Sequence, residues 1–216
     1  MENDKSAIEF LSALLSETKE QFKKSPVYEK QYKQKKEANY SVCATPILKH
    51  APVLFGINWG GSDIFESQEV TTQFDDITKY PFIKRSQKYL EQLGLSFSEI
   101  NFNYTNLCFF RSRKAIELEE GDYRLSIPLF EKYVNYINPK WILSIGYKNY
   151  EILNKLGFLK SVNIHTDKVS KAQAYSAKLW DRDIYFAPHP NAHFSNEKRN
   201  AIWAIITTEL NRETKG

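Results

Sequence analysis

The chain has 216 residues, which suits one α/β domain whose core needs no disulfide or metal to be stable. Its formal charge of +4 is too small to identify a nucleic-acid binder, and its 42% hydrophobic content argues against a disordered chain. Cys43 and Cys108 are too few for a disulfide framework or a four-thiolate cluster, which excludes iron-sulfur enzymes. The N-terminus lacks a signal-peptide pattern and no apolar run is long enough to span a bilayer, so we expect an intracellular, cytoplasmic protein.

Residues 1–50 are predicted to form an N-terminal helical extension. Apolar residues at helical spacing predict an amphipathic helix from about Ser6 to Lys24. The next segment, Tyr28 to Ala38, carries four lysines among tyrosines and polar residues. These lysines belong either to a solvated helix face or to a nonspecific phosphate-binding arm, and the sequence leaves both open.

Residues 51–216 show short apolar segments that alternate with helical patterns, at Val53–Ile57, Ile100–Leu107, Trp141–Ile145 and Ile184–Ala187. This alternation predicts an α/β fold, a three-layer α/β/α sandwich with a central, mostly parallel four-stranded sheet. Ser195 is predicted to cap a final helix with a buried apolar face. The polar stretch from Ser62 to Glu91 is interpreted as a long functional loop. We expect a single compact domain overall.

Polar or flexible residues follow each predicted strand, where open α/β sheets bind their ligands. They are Asn58 in GINWGG, Asn106 in TNLCFFRS, Gly146 in SIGYKNY and His189 in APHPNAHFS. The set has no GxSxG serine elbow and no Walker lysine. Pro190 prevents His189 and His193 from sharing a helix face, so a metal pair is not expected.

These motifs resemble those of the uracil-DNA glycosylase superfamily. GINWGG is similar to the GxNPG motif of the single-strand-selective and mismatch-specific branches, and HPNAHFS to the family's HPS segment. The similarity runs from about Val53 to Arg199. It implies a monofunctional glycosylase that hydrolyses the N-glycosidic bond of uracil or a related pyrimidine flipped out of single- or double-stranded DNA. No cofactor or metal is implied, and we expect a monomer that is nucleoid-associated when bound to DNA.

Three residues are the predicted centre of this chemistry. Asn58 would position the attacking water through its side-chain oxygen, or else it only serves the turn after its strand. His189 would donate a hydrogen bond to the oxygen of the departing base, or it is a structural histidine. Asn106 offers both a donor and an acceptor to a pyrimidine edge, or it caps a strand end. Asp63 is either a substitute base or a surface residue.

The remaining predicted contacts surround these three. Phe82 is the first candidate for the aromatic platform under the base, with Phe65 and Phe74 behind it. Phe194 would wedge into the vacated base stack, or it is buried under the last helix. The predicted base pocket also includes Gly56, Ile57 and Trp59, and the predicted DNA-backbone contacts are Asn191, Ser195, Lys198 and Arg199.

Two positions depart from the family pattern. Trp59 stands where the family has proline, and Asn191 stands where it has serine. These departures leave two alternatives open: a glycosylase for a hypermodified base in phage defence, or a nucleic-acid-binding protein of the same fold that has lost catalysis.

Overall fold

The computed structural model describes residues 3–33, 39–43, 45–59, 87, 89–95, 102–112, 114–190 and 192–213. The chain divides into two compact units. The first comprises Met1–Asp75 and Phe102–Pro139, and the second comprises Asp76–Asn101 and Lys140–Gly216. A separate extension over residues 1–50 stays a prediction.

The described residues of the first unit form three α-helices and two strands. In chain order they are α1 (Asn3–Phe22), α2 (Pro26–Lys33), β1 (Val53–Asn58), β2 (Tyr104–Cys108) and α3 (Glu120–Ile137), with a short 3-10 helix at Ala115–Glu117 before α3.

Helix α1 is the amphipathic helix that the sequence predicts. It begins three residues earlier than predicted and buries Leu11, Leu14 and Phe22. The Phe10 ring stacks on that of Tyr136 with 3.8 Å between centroids, so α1 lies along α3. The N-terminal helix is therefore part of the core of the first unit.

Helix α2 begins at Pro26, whose fixed φ suits the first turn of a helix. Asp122 of α3 is fully buried and accepts hydrogen bonds from the backbone N–H of Val27 at 2.9 Å and of Glu119 at 2.7 Å. Lys30 pairs with the Glu119 carboxylate at the surface. Residues 34–38 of the predicted basic segment lie outside the described residues, and a phosphate-binding arm stays a prediction.

Strands β1 and β2 are parallel, with Gly56 opposite Asn106 and Asn58 opposite Cys108. Strand β1 begins in the core, where Val53 to Phe55 are almost fully buried, and becomes half-exposed at its carboxyl end. The buried start fixes the strand by hydrophobic contacts, and the half-exposed end leaves its last side chains accessible to a ligand.

In the described part of the second unit, residues 89–92 are helical, and four strands and two further helices follow along the chain. They are β3 (Ile142–Ile145), α4 (Tyr147–Lys155), β4 (Leu159–Thr166), β5 (Gln173–Leu179), β6 (Arg182–Ala187) and α5 (Asn196–Glu213). The strand order is β3-β6-β5-β4. Strands β3 and β6 are parallel, whereas β6 with β5 and β5 with β4 are antiparallel.

The α/β class is confirmed, but the predicted number of four strands is wrong, because the two units contain six strands of mixed direction. The sequence did not reveal β4 and β5. Strand β4 exposes most of its side chains, and β5 buries mainly Ala174, Ala177 and Leu179. Neither strand forms an apolar run that would mark it in the sequence. Both are held chiefly by backbone hydrogen bonds of the antiparallel ladder.

Helix α5 is the final helix that the sequence predicts. Ser195 caps it, since its Oγ accepts the backbone N–H of Lys198 at 3.2 Å. Ile202, Ile206 and Leu210 are buried on one face. Among the described residues, no helix is long and apolar enough to cross a membrane.

Candidate functional site

Asn58 ends β1 with its side-chain amide fixed in one orientation. Its Nδ2 donates to the carbonyl oxygen of Ser112 at 3.2 Å and to the Ser112 hydroxyl at 2.8 Å. That hydroxyl donates to the carbonyl of Lys114 at 2.8 Å, so it can only accept from Asn58. Because a carbonyl cannot donate, the nitrogen must face Ser112 and the Asn58 Oδ1 must face away. Within the described part of the chain, no donor reaches this Oδ1.

Asn106 lies in the middle of β2 and is only 3% exposed. Its Oδ1 lies over Gly56 so closely that a Cβ built at Gly56 would be 2.5 Å from it. No residue among those described donates to or accepts from the Asn106 side chain. The Asn106 amide atoms are not among the fully buried unpaired polar atoms of the described residues, so they remain accessible to a ligand that supplies a donor and an acceptor.

The two amides project from the same face of the β1–β2 pair. Gly56 and Asn58 are two residues apart on one strand, so their Cβ positions share a face. The Asn106 side chain lies on that face, because it is the one toward which a Gly56 Cβ would point. Asn58 also stands at the carboxyl end of β1, the edge at which open α/β sheets bind their ligands.

Trp59 forms an aromatic wall beside this face. Its indole Nε1 donates to the backbone carbonyl of Ser41 at 2.7 Å, and its ring meets Tyr104 edge-to-face at 6.3 Å. The Tyr104 hydroxyl in turn lies 3.4 Å from the position of a Gly56 Cβ. The indole is therefore held by hydrogen bonding and packing and adds a rigid surface next to Gly56. Ile57, the residue between Gly56 and Asn58, is half-buried and points to the opposite face of β1.

Cys108 stands opposite Asn58 in the strand register, so by its position the Cys108 thiol is a candidate nucleophile. The thiol is fully buried, and burial raises the pKa of Cys108 far above its ordinary value. Burial likewise raises the pKa of Cys43 to about 12. Neither thiol ionises near neutral pH, so neither is a candidate nucleophile.

His189 lies in the second unit, two residues beyond the end of β6. Its side chain is exposed, and its Cβ is 4.0 Å from the position of a Cβ built at Gly146. Gly146 has a φ of +126° and precedes the first residue of α4. The base of the His189 side chain thus lies beside the N-terminus of α4, where the helix dipole favours negative charge.

The loop between β6 and α5 carries most of the predicted DNA contacts. Phe194 is half-buried and meets Tyr147 edge-to-face at 6.1 Å. Lys198 is exposed on the first turn of α5, next to the Ser195 cap. Arg199 instead directs its Nη2 to the carbonyl of Ala192 at 2.9 Å.

The structure therefore groups the predicted residues into two sets. The set in the first unit comprises Gly56, Asn58, Trp59 and Asn106. The set in the second unit comprises His189, Phe194, Ser195, Lys198 and Arg199. Phe82 and Asn191 lie outside the described residues, as do Asp63, Phe65 and Phe74.

Ser112 and Tyr104 are functional candidates that the sequence did not single out. Ser112 falls within the quoted TNLCFFRS motif, but its role depends on a contact with a residue 54 positions away. Tyr104 lies two residues before Asn106, on the same face of β2, and that spacing was the available signal. Within the described ranges, no group of three His, Cys, Asp or Glu side chains is arranged to hold a metal ion.

No protein-family model matches the sequence, and no curated protein matches it.

Proposed function

We propose that the chain is a monofunctional DNA glycosylase that hydrolyses the N-glycosidic bond of uracil or a related pyrimidine flipped out of DNA. One observation carries the proposal: two amides share a face of the β1–β2 pair and differ in which atoms they leave for a ligand. Asn58 leaves only an acceptor, because its nitrogen is taken by Ser112. Asn106 keeps both its donor and its acceptor.

Asn106 reads the base in this proposal. A pyrimidine edge places a ring N–H donor beside a carbonyl acceptor, and a primary amide complements both. The buried Asn106 amide gains the hydrogen bonds that it lacks in the free protein, which favours binding of an extruded base. Trp59 and Tyr104 supply apolar surface beside the base, and Gly56 leaves room for the amide.

Asn58 positions the attacking water. Its Oδ1 accepts a hydrogen bond from the water and directs the lone pair of the water oxygen toward the sugar carbon, C1′. An amide cannot take that proton away, so the C1′–N bond breaks first and its electron pair leaves with the base. Water then adds to the cationic C1′, and the proton it loses ends on the departing base or in solvent.

His189 stabilises the departing base. It donates a hydrogen bond to the base oxygen on which negative charge develops, and the N-terminus of α4 adds a favourable field. The proposal includes a three-layer α/β/α arrangement, kinship to the uracil-DNA glycosylase superfamily, and a cytoplasmic monomer that binds DNA.

Trp59 favours a second candidate with the same reaction but a different base. Its indole is anchored to Ser41, so this wall cannot move aside without losing a 2.7 Å hydrogen bond. The indole offers a larger rigid surface than the proline at this position in the resembled family. Such a surface suits a modified pyrimidine that stacks along it, and a modified pyrimidine is the base expected of a phage-defence glycosylase.

The test is a panel of oligonucleotides that contain uracil, mismatched thymine or modified cytosines. Release of one free base, with an alkali-labile abasic site left behind, identifies the substrate and decides between the two candidates. DNA binding without base release from any member would favour a protein that binds nucleic acid but has lost catalysis.

A further inference from the structure

The loop between β6 and α5 is tied to α5 by one arginine side chain. The Arg199 guanidinium donates through Nη2 to the Ala192 carbonyl at 2.9 Å, and the backbone N–H of Phe194 donates to the same oxygen at 2.8 Å. The N–H of Ala192 donates to the carbonyl of His189 at 2.8 Å. A continuous chain of hydrogen bonds therefore runs from Arg199 through Ala192 to the peptide group of His189.

The guanidinium is turned toward the protein. Arg199 is half-buried, and its Nε is buried with no acceptor in the described part of the chain. Lys198, the next residue, is exposed, and no hydrogen bond or ion pair involves its side chain among the described residues. Of these two cations, Lys198 is therefore the one that faces solvent, where a DNA phosphate would approach.

We infer that Arg199 is a positioning residue that holds the His189 loop and that it is not a phosphate ligand. The inference rests on the proposed function insofar as His189 acts on the base. A hydrogen bond from a charged donor is about twice as strong as a neutral one, so this contact restricts the loop more than the turn's backbone bonds do alone. Positioning of His189 matters because a donor must lie within hydrogen-bonding distance of the charge that develops.

Loss of the guanidinium should loosen the loop without unfolding the protein. The Ala192 carbonyl still accepts the N–H of Phe194, and Ser195 still caps α5. Arg199→Gln should therefore fold normally, and Lys198→Gln on the same helical turn is its matched control.

The first experiment measures the loop itself and needs no activity. Amide hydrogen exchange of Ala192 and Phe194, followed by NMR, should be roughly tenfold faster in Arg199→Gln and unchanged in Lys198→Gln. Arg199→Lys should restore part of the protection, because an ammonium can also donate to the Ala192 carbonyl. Unchanged exchange in Arg199→Gln would overturn the inference.

The second experiment separates positioning from phosphate binding. Arg199→Gln should lower kcat by about tenfold with KM almost unchanged, and the slope of log Kd against log salt should stay the same. Loss of a phosphate contact would reduce that slope by about one unit, and this result for Arg199→Gln would overturn the inference. If the wild-type protein releases no base but exchange still accelerates in Arg199→Gln, the glycosylase proposal fails and the positioning role of Arg199 stands.

Discussion

The Nδ2 of Asn58 makes two hydrogen bonds to Ser112, one to its carbonyl oxygen and one to its hydroxyl. The Ser112 hydroxyl donates its own hydrogen bond to the Lys114 carbonyl. This arrangement leaves the Asn58 oxygen as the only part of the amide that can meet a water molecule. Because of this arrangement, Asn58 is a candidate for positioning the water that acts as nucleophile.

Asn58→Ala should lower kcat by about 100-fold or more, the scale of a lost catalytic group, while DNA binding is kept. Ser112→Ala should lower kcat only about fivefold, because one hydrogen bond of about 1 kcal/mol is lost and the carbonyl contact remains. Single-turnover kinetics and DNA titration measure both effects. The Asn58→Ala, Ser112→Ala double variant should be no slower than Asn58→Ala, and additive losses would show that Ser112 acts independently of Asn58.

Gly56→Ala should disable base reading without unfolding the first unit. The new Cβ would lie 2.5 Å from the Oδ1 of Asn106, so the flexible amide must move. We expect kcat/KM to fall roughly 10- to 100-fold, as for loss of a hydrogen bond to substrate. In an Asn106→Ala background, where the obstructed amide is absent, Gly56→Ala should have little further effect. A full additional loss there would mean that Gly56 serves another purpose.

The two cysteines should be unreactive in the folded protein. Burial raises the pKa of Cys43 to about 12 and that of Cys108 higher still, so neither thiol becomes a thiolate between pH 7 and 9. A colorimetric thiol reagent should detect no thiol in native protein at pH 8 and both after denaturation. Rapid labelling of the folded protein, rising with pH across this range, would contradict the described burial.

Asp122→Ala should be among the more destabilising single changes in the first unit. It removes the acceptor of two backbone N–H groups, those of Val27 and Glu119, from a fully buried site. We expect a loss of about 3 kcal/mol in the free energy of unfolding, measured by chemical denaturation. Arg124→Ala on the same helix removes only an exposed ion pair with Glu120 and should cost less than about 0.5 kcal/mol. Equal effects of the two variants would show that the Asp122 contacts are not important for stability.

The elements that the sequence predicted well are those that bury an apolar face. Helices α1 and α5 carry a periodic apolar pattern, strand β1 is a continuous apolar run, and the Ser195 cap marks where α5 begins. Strands β4 and β5 have no such pattern. They are held by backbone pairing rather than by burial of side chains.

The candidate site was predictable in its chemistry and less so in its contacts. Asn58 and Asn106 were found because polar residues at or near the predicted strand ends stand out against buried apolar segments, although Asn106 lies in the middle of β2. Ser112 was missed because its importance comes from a partner 54 residues away. Arg199 was found for its charge, but the direction of its guanidinium depends on how the loop folds back on α5. Local sequence thus indicates which groups are present, and tertiary structure decides which of their atoms stay available.

The most direct test of the central claim is base release from a uracil-containing oligonucleotide by wild-type protein and by its Asn58→Ala and His189→Ala variants. Mass spectrometry would measure the free base, and alkaline cleavage would measure the abasic site. The glycosylase proposal predicts equal amounts of free base and abasic site from the wild type. It predicts at least a 100-fold slower reaction from either variant, with DNA binding retained. No base release from uracil, mismatched thymine or modified cytosines, or full activity in both variants, would contradict it.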